Sequence, residues 1–256
     1  MKRFFFTILI FASLSIVLRA DEVNLCADAS LKDVMNEIIT FYQKNVPQTK
    51  FVPNYAASGT LQTQINSGVP ADVFISSSQD KMDLLAEKKL IVKDTGKNLV
   101  GNEVVLIVPT SKESEFHCFG CLGTDKLKKD KLVIGDPNVE PAGQYAVEVF
   151  EHQKIKEKVL PKAVFGKSVS EVLTYVAQGK ADAGVVYSTD AKIMPDKVKV
   201  LAKSPKNSHT PVVYAAAVVT TGNNPDGGKQ FLDYLFTKDV QDIFVKYGYK
   251  LLKEEK

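Results

Sequence analysis

The 256 residues carry 33 Lys+Arg against 30 Asp+Glu, and three of them are cysteines. Balanced charge argues against the clustered basic footprint of a nucleic-acid surface, and three cysteines exclude a disulfide scaffold. At roughly 100–200 residues per domain, the length suits one large domain or two smaller ones.

Residues 1–20 read as a secretory signal peptide. Lys2 and Arg3 form a charged start, Phe4 to Leu18 is a mostly apolar run too short for a membrane span, and Ala20 precedes Asp21. Cys26 lacks the leader of a lipid-attachment site, so the expectation is a soluble protein exported to the periplasm. Lys2, Arg3 and Arg19 leave with the leader, so the mature chain keeps 30 residues of each sign and no arginine. Without a guanidinium fork, an anion must be held by lysine, hydroxyls or backbone N–H groups.

Glu22 to Ala27 alternates as a short strand does. From Leu31 the apolar residues fall at helical spacing: Leu31, Val34, Met35, Ile38, Ile39, Phe41 and Tyr42. Ser30 stands at the junction with Asp33 three residues on, a capping-box signature. A strand that turns straight into a helix leaves backbone N–H groups aimed at open space, where an anion is favoured. The same arrangement recurs at Ser58, at Pro141-Ala142-Gly143 and at Ser168.

Lys50 to Tyr55 reads as a strand, followed by a short helix that ends near Ser67-Gly68. Val73 to Ser76 is a strand, and Ser77 with Asp80 is expected to cap a helix carrying Met82, Leu84, Leu85 and Leu90. This alternation predicts a parallel or mostly parallel sheet covered on both faces. Val104 to Val108 is a continuous apolar strand, whereas Ser111 to Lys131 is polar and lysine-rich without clear periodicity. Further strands are expected at Leu132 to Ile134, Lys162 to Phe165, Ala183 to Tyr187, Val198 to Leu201 and Val212 to Thr220. Pro141 marks a helix start, and Ser168 with Glu171 caps another helix. Pro225 to Phe236 and Asp239 to Tyr247 form two amphipathic helices. No linker separates the αβ units, which suggests domains joined by crossing strands.

Any single serine among Ser30, Ser77 and Ser168 is an ordinary cap. Their grouping at strand ends of an exported chain without arginine points instead to an anion site, since ligands of open α/β sheets sit beyond the carboxyl ends of strands. His117, His152 and His209 show no metal spacing and read as surface residues. No G-x-S-x-G elbow supports a Ser–His–Asp hydrolase. Cys118-Phe119-Gly120-Cys121 is a C-x-x-C motif in a polar connection. A short disulfide made after export is the simplest reading, with an exported thiol–disulfide enzyme or a metal site as the alternatives. Cys26, inside an apolar strand, reads as a buried core thiol. Lys126, Lys128, Lys129 and Lys131 read as a solvated face.

Several motifs carry a family resemblance. Ala27-Asp28-Ala29-Ser30-Leu31, Tyr55 through Leu61, Pro70 through Ser76, Gly135-Asp136-Pro137 through Ala146, Gly184 through Asp190, and Ile243 through Tyr249 together resemble the periplasmic molybdate-binding proteins of ABC transporters. The resemblance runs in order over nearly the whole mature chain. It implies an α/β, two-domain type II periplasmic binding protein (a Venus-flytrap) with two connecting strands, matched by Val104–Val108 and Val212–Val219. Residues 21–103 and 216–256 would form the first, discontinuous domain and residues 104–215 the second. It also implies a monomer that is not an enzyme, needs no cofactor and binds no nucleic acid, but takes molybdate or tungstate and delivers it to a membrane permease. The ligand contacts would fall on Ser30, Ser58, Ala142, Val169 and Tyr187, with Ala142 and Val169 using main-chain N–H groups and Tyr187 its phenol. No carboxylate is among the five, so a proton-bearing anion such as phosphate is expected to find no acceptor. The family usually has alanine where this chain has Asp28. A carboxylate there weakens binding of a dianion unless it points away or is paired.

Overall fold

The computed structural model describes residues 22–252, apart from 112 and 130. The signal-peptide reading lies outside the described residues. In chain order the first elements are β1 (Glu22–Asp28), α1 (Lys32–Asn45), β2 (Lys50–Ala56), α2 (Ser58–Asn66), β3 (Val73–Ser76), α3 (Gln79–Glu87) and β4 (Lys97–Gly101). The middle of the chain holds β5 (Val104–Pro109), β6 (Leu132–Gly135), α4 (Pro141–His152), α5 (Lys156–Val159), β7 (Ala163–Gly166), α6 (Val169–Ala177), β8 (Ala183–Tyr187), α7 (Ser188–Ala191) and β9 (Val198–Lys203). β10 (Val213–Val218), α8 (Pro225–Tyr234) and α9 (Lys238–Tyr247) complete it.

Among the described residues the strands form two five-stranded sheets of matching order, β2-β1-β3-β10-β4 and β7-β6-β8-β5-β9. The expectation of a mostly parallel sheet needs correcting, because both sheets are mixed. β1 runs parallel to β2 and β3, but β10 runs antiparallel to β3 and β4. In the second sheet β6 is parallel to β7 and β8, and β5 is antiparallel to β8 and β9. The reason is connectivity. The chain passes from β4 to β5 through Asn102 and Glu103 alone, and returns to the first sheet as β10. Each of these incoming strands is inserted between two strands of its sheet and runs opposite to both. β10 lies wholly in the first sheet, so the expected border between residues 215 and 216 runs through it.

The core follows the apolar periodicity. Val34, Met35, Ile38, Ile39 and Tyr42 of α1 are buried against the first sheet, and β5 is buried along its whole length. A smaller cluster of Cys26, Leu61, Ile65, Phe74, Met82 and Leu85 lies under α2 and α3. Leu84, expected on the same helix face, is 40% exposed instead. β4 escaped the sequence reading because only Leu99 and Val100 of its five residues are apolar and buried, as suits an edge strand.

Two expected caps are displaced. Ser30 does not cap α1, because the chain first makes a tight 3-10 turn over Ala29–Leu31, and the Asp28 carboxylate accepts the Ser30 N–H. α3 is preceded by Ser78 rather than Ser77, and the Ser78 hydroxyl bonds to Asp80. Ser168 does cap α6, accepting the Glu171 N–H at 3.4 Å.

Candidate functional site

The parallel strands of both sheets end facing one another, and each half of the resulting site is organised around a buried carboxylate. In the first half this is Asp28, the last residue of β1, which is 0% exposed. Its Oδ1 accepts from the Ser30 N–H at 3.1 Å and from Ser30 Oγ at 2.7 Å. Its Oδ2 accepts from Ser58 Oγ at 2.5 Å and from Ser77 Oγ at 2.8 Å. Ser58 Oγ in turn accepts the Ser77 N–H at 3.0 Å. Because the Ser30 hydroxyl gives its proton to Asp28, the Tyr214 hydroxyl 2.8 Å away is the donor of that pair. Tyr249 donates to the Ser30 carbonyl at 2.8 Å.

The second half is built on Glu140, also 0% exposed, at the N-cap of α4. Its carboxylate accepts the main-chain N–H of Ala142 at 3.2 Å and of Val169 at 3.0 Å. Ala142 is the second residue of α4 and Val169 the first of α6, in the opening turns whose N–H groups are left unpaired by helix geometry. The N-terminus of α4 reaches this position only because Gly143 packs onto Gly135, where a Cβ would collide with the Gly135 carbonyl. Burial, followed by the charge of Asp28, pushes the Glu140 carboxyl well above the usual carboxylate range.

The halves meet without a gap. Tyr187, ending β8, donates to Ser77 Oγ at 3.1 Å, and Tyr145 of α4 donates to the Ser77 carbonyl at 3.1 Å. Gly59 N–H donates to the Val139 carbonyl at 2.8 Å, and a Cβ at Gly59 would stand 2.6 Å from that oxygen. Burial raises the phenols of Tyr145, Tyr187 and Tyr214, so they stay protonated and act as donors. A third buried carboxyl, Asp190, accepts the Tyr187 N–H at 2.9 Å through Oδ2, while its Oδ1 has no partner. Burial pushes it up to about 8. Among the described residues no lysine forms an ion pair with Asp28, Glu140 or Asp190. A hollow of about 410 Å³ lined by Tyr55, Ala57, Thr60, Val139, Lys167 and Ser168 opens at the seam, beside Ser58 and Val169.

All five residues singled out in the sequence therefore converge. Ser30 and Ser58 bond to Asp28, Ala142 and Val169 bond to Glu140, and Tyr187 reaches Ser77, which bonds to Asp28. The expectation of a site without an acceptor is overturned, because two carboxylates sit on these donors. Asp28 points inward and is paired with hydroxyls rather than with a cation. Glu140 and Tyr214 escaped the sequence reading, and Ser77, read there as a cap among the grouped junction serines, was not one of the five. Glu140 did leave a signal: Ser, Thr, Asp and Asn lead at N-caps, and a long carboxylate before Pro141-Ala142 departs from that. Tyr214 left none, being one of a run of apolar-looking residues at the start of β10.

The remaining candidates fall elsewhere. Cys118 and Cys121 are joined in a disulfide beside the short 3-10 turn Gly120–Gly123. Cys26 is a buried free thiol, which burial pushes up to about 11. His117 and His152 are exposed, but His209 is half-buried, with its ring 5.6 Å from that of Tyr145 and 2.9 Å from Ser204 Oγ. Among the described residues no group of His, Cys, Asp or Glu is arranged to hold a metal ion.

The profile of the family described as bacterial extracellular solute-binding protein matches residues 23–250. The molybdate-binding protein ModA of Haemophilus influenzae is 38% identical over 229 residues, 89% of this chain and 89% of that protein. ModA of Escherichia coli is 36% identical over 236 residues, 91% of each. Among solved structures, the periplasmic molybdate-binding protein of Azotobacter vinelandii superposes with a TM-score of 0.79 at 18% identity, over 90% of this chain and 100% of that one.

Proposed function

Because the chain belongs to the bacterial extracellular solute-binding proteins, in the family of the molybdate-binding proteins, and has the type II binding-protein fold, we propose that it captures molybdate between its two sheets and hands it to an ABC importer. The family consists of transport binding proteins and not enzymes, and works outside the cytoplasm. For this chain we read the compartment as the periplasm and the working form as a monomer that binds no nucleic acid. Tungstate, of the same shape and charge, is the second ligand of this reading.

The observation that carries the proposal is the convergence of neutral donors. Ser30, Ser58 and Tyr187 supply hydroxyls, and Ala142 and Val169 supply N–H groups at helix starts. All meet at the ends of the parallel strands. Donors of this kind, fixed in a dry site, suit an anion whose oxygens only accept. The two lobes would centre on the two sheets, with the borders falling between β4 and β5 and ahead of β10 rather than within it, hinged where the chain crosses between them.

Isothermal titration with molybdate, tungstate, sulfate and phosphate tests the reading. Molybdate and tungstate are expected to bind more tightly than sulfate, which is too small for donors spaced for the larger ions. Sulfate binding as tightly as molybdate would overturn the choice of ligand. Cys118 and Cys121 are joined to each other in the connection between β5 and β6, away from the strand ends that carry the donors.

A further inference from the structure

Each half of the site already holds a carboxyl group of its own. Asp28 occupies the donors Ser30, Ser58 and Ser77 of the first sheet, and Glu140 occupies the donors Ala142 and Val169 of the second. An incoming oxyanion needs these same N–H and O–H groups. It must take them from two carboxylates that remain in the same closed space.

We propose that Asp28 and Glu140 are ligand-facing residues of the site, and that the oxyanion is captured together with a proton held between one of these carboxylates and a ligand oxygen. The inference rests on the oxyanion reading of the site and adds to it how the two resident charges are accommodated. Neither side chain has a route to solvent in the closed molecule, as both are fully buried. Glu140 is also confined by its own packing, since even a Cβ at Gly135 would collide with its Cγ.

The groups facing the pair cannot neutralise it. From β8, β10, α4, α7 and the C-terminal segment these are Tyr187, Tyr214, Tyr145, Asp190 and Tyr249. All are acids, and among the described residues no lysine pairs with either carboxylate. Like charges crowded into a water-excluded site do not stay ionised together, and a shared proton relieves them. One carboxylate takes a proton from solvent while the cleft is open, forming one O–H bond and breaking none within the protein. It then changes from acceptor to donor and can bond to a ligand oxygen, while the N–H and hydroxyl donors pass to the other oxygens. A ligand that brings its own proton satisfies the same arrangement. The high proton affinity of Glu140 agrees with this.

Titration of the full chain with molybdate at pH 6, 7 and 8, in buffers of different ionisation heat, reads the proton directly. The expected result is net uptake of about one proton per bound ion, with affinity falling by about tenfold per pH unit. In Asp28→Ala and Glu140→Gln, each checked for folding by circular dichroism, uptake falls and the pH slope flattens in at least one variant. Wild-type binding without uptake and with equal affinity at pH 6 and pH 8 overturns the proposal while leaving the oxyanion reading intact. Full uptake in both variants also overturns it. If none of the four oxyanions binds at any of these pH values, the oxyanion reading itself fails and this inference fails with it.

Discussion

The hydroxyl of Tyr187 donates to Ser77 Oγ at 3.1 Å, joining the end of a strand in one sheet to the end of a strand in the other. Ser77 Oγ in turn donates to Asp28 at 2.8 Å, so contact between the halves and occupancy of the donor set belong to one chain of hydrogen bonds. Removing this hydroxyl should loosen closure. Tyr187→Phe is expected to weaken molybdate binding by about tenfold, since a hydrogen bond to a charged partner contributes about 1.5–3 kcal/mol. The variant's radius of gyration should exceed that of the wild type when no ligand is present. Unchanged affinity together with an unchanged scattering profile would remove Tyr187 from both roles.

Gly59 sets how closely the halves approach. A Cβ there would stand 2.6 Å from the Val139 carbonyl oxygen, against backbone that cannot yield as a flexible side chain does. Gly59→Ala should therefore hold the cleft ajar, costing affinity with little loss of stability. Small-angle scattering with saturating molybdate checks this: compaction equal to that of the wild type would show that closure tolerates the methyl group.

Ser30→Ala and Ser58→Ala should each weaken anion binding by about tenfold or more while leaving the protein folded. The stability loss that a helix cap would bring is not expected at Ser30, because Asp28 caps that turn. Titration calorimetry together with thermal melting separates the two effects, and unchanged binding in both variants would take these junctions out of the site.

Asp28→Ala should act in opposite directions on the empty and the loaded protein. Without ligand, the hydroxyls of Ser30, Ser58 and Ser77 lose their acceptor, and a buried donor left unpaired costs about 1–3 kcal/mol. With ligand, the competing carboxylate is gone. The melting temperature of the empty variant is expected to fall, and its rise on adding molybdate to exceed that of the wild type. An equal rise in both proteins would mean that Asp28 does not compete with the ligand.

Asp190 gives a pH dependence of definite sign. Its carboxyl is raised by burial to about 8 in the folded protein, against about 3.9 in an unfolded chain. Below pH 4 both states are protonated and Asp190 costs nothing. Between pH 4 and pH 8 the unfolded chain ionises first, so stability falls as pH rises. Asp190→Asn can still accept the Tyr187 N–H but removes the ionisation. Urea denaturation should show the variant gaining on the wild type by about 1 kcal/mol or more between pH 5 and pH 8. A constant difference would indicate that Asp190 is not strained by its burial.

Much of this was determined by the sequence alone. Apolar spacing placed α1, α2, α4 and α6 and the buried strands β3, β5 and β8, because a helix face or a buried strand writes its period locally. Small polar residues and Pro141 marked the junctions at Ser30, Ser58, Ala142 and Ser168, and the family resemblance then singled out Ser30, Ser58, Ala142, Val169 and Tyr187 before any geometry was known. Tertiary structure alone decided what those junctions hold. Ser77 read as a cap because its partner Asp28 lies 49 residues away, and Glu140 reaches Val169 across 29 residues. The mixed sheets likewise depend on β10 returning to pair with β3, a contact that no local pattern encodes. Period and capping are properties of a few adjacent residues. The direction of a returning strand, and the carboxylate that occupies a set of donors, depend on distant segments meeting, which happens only once the chain has folded.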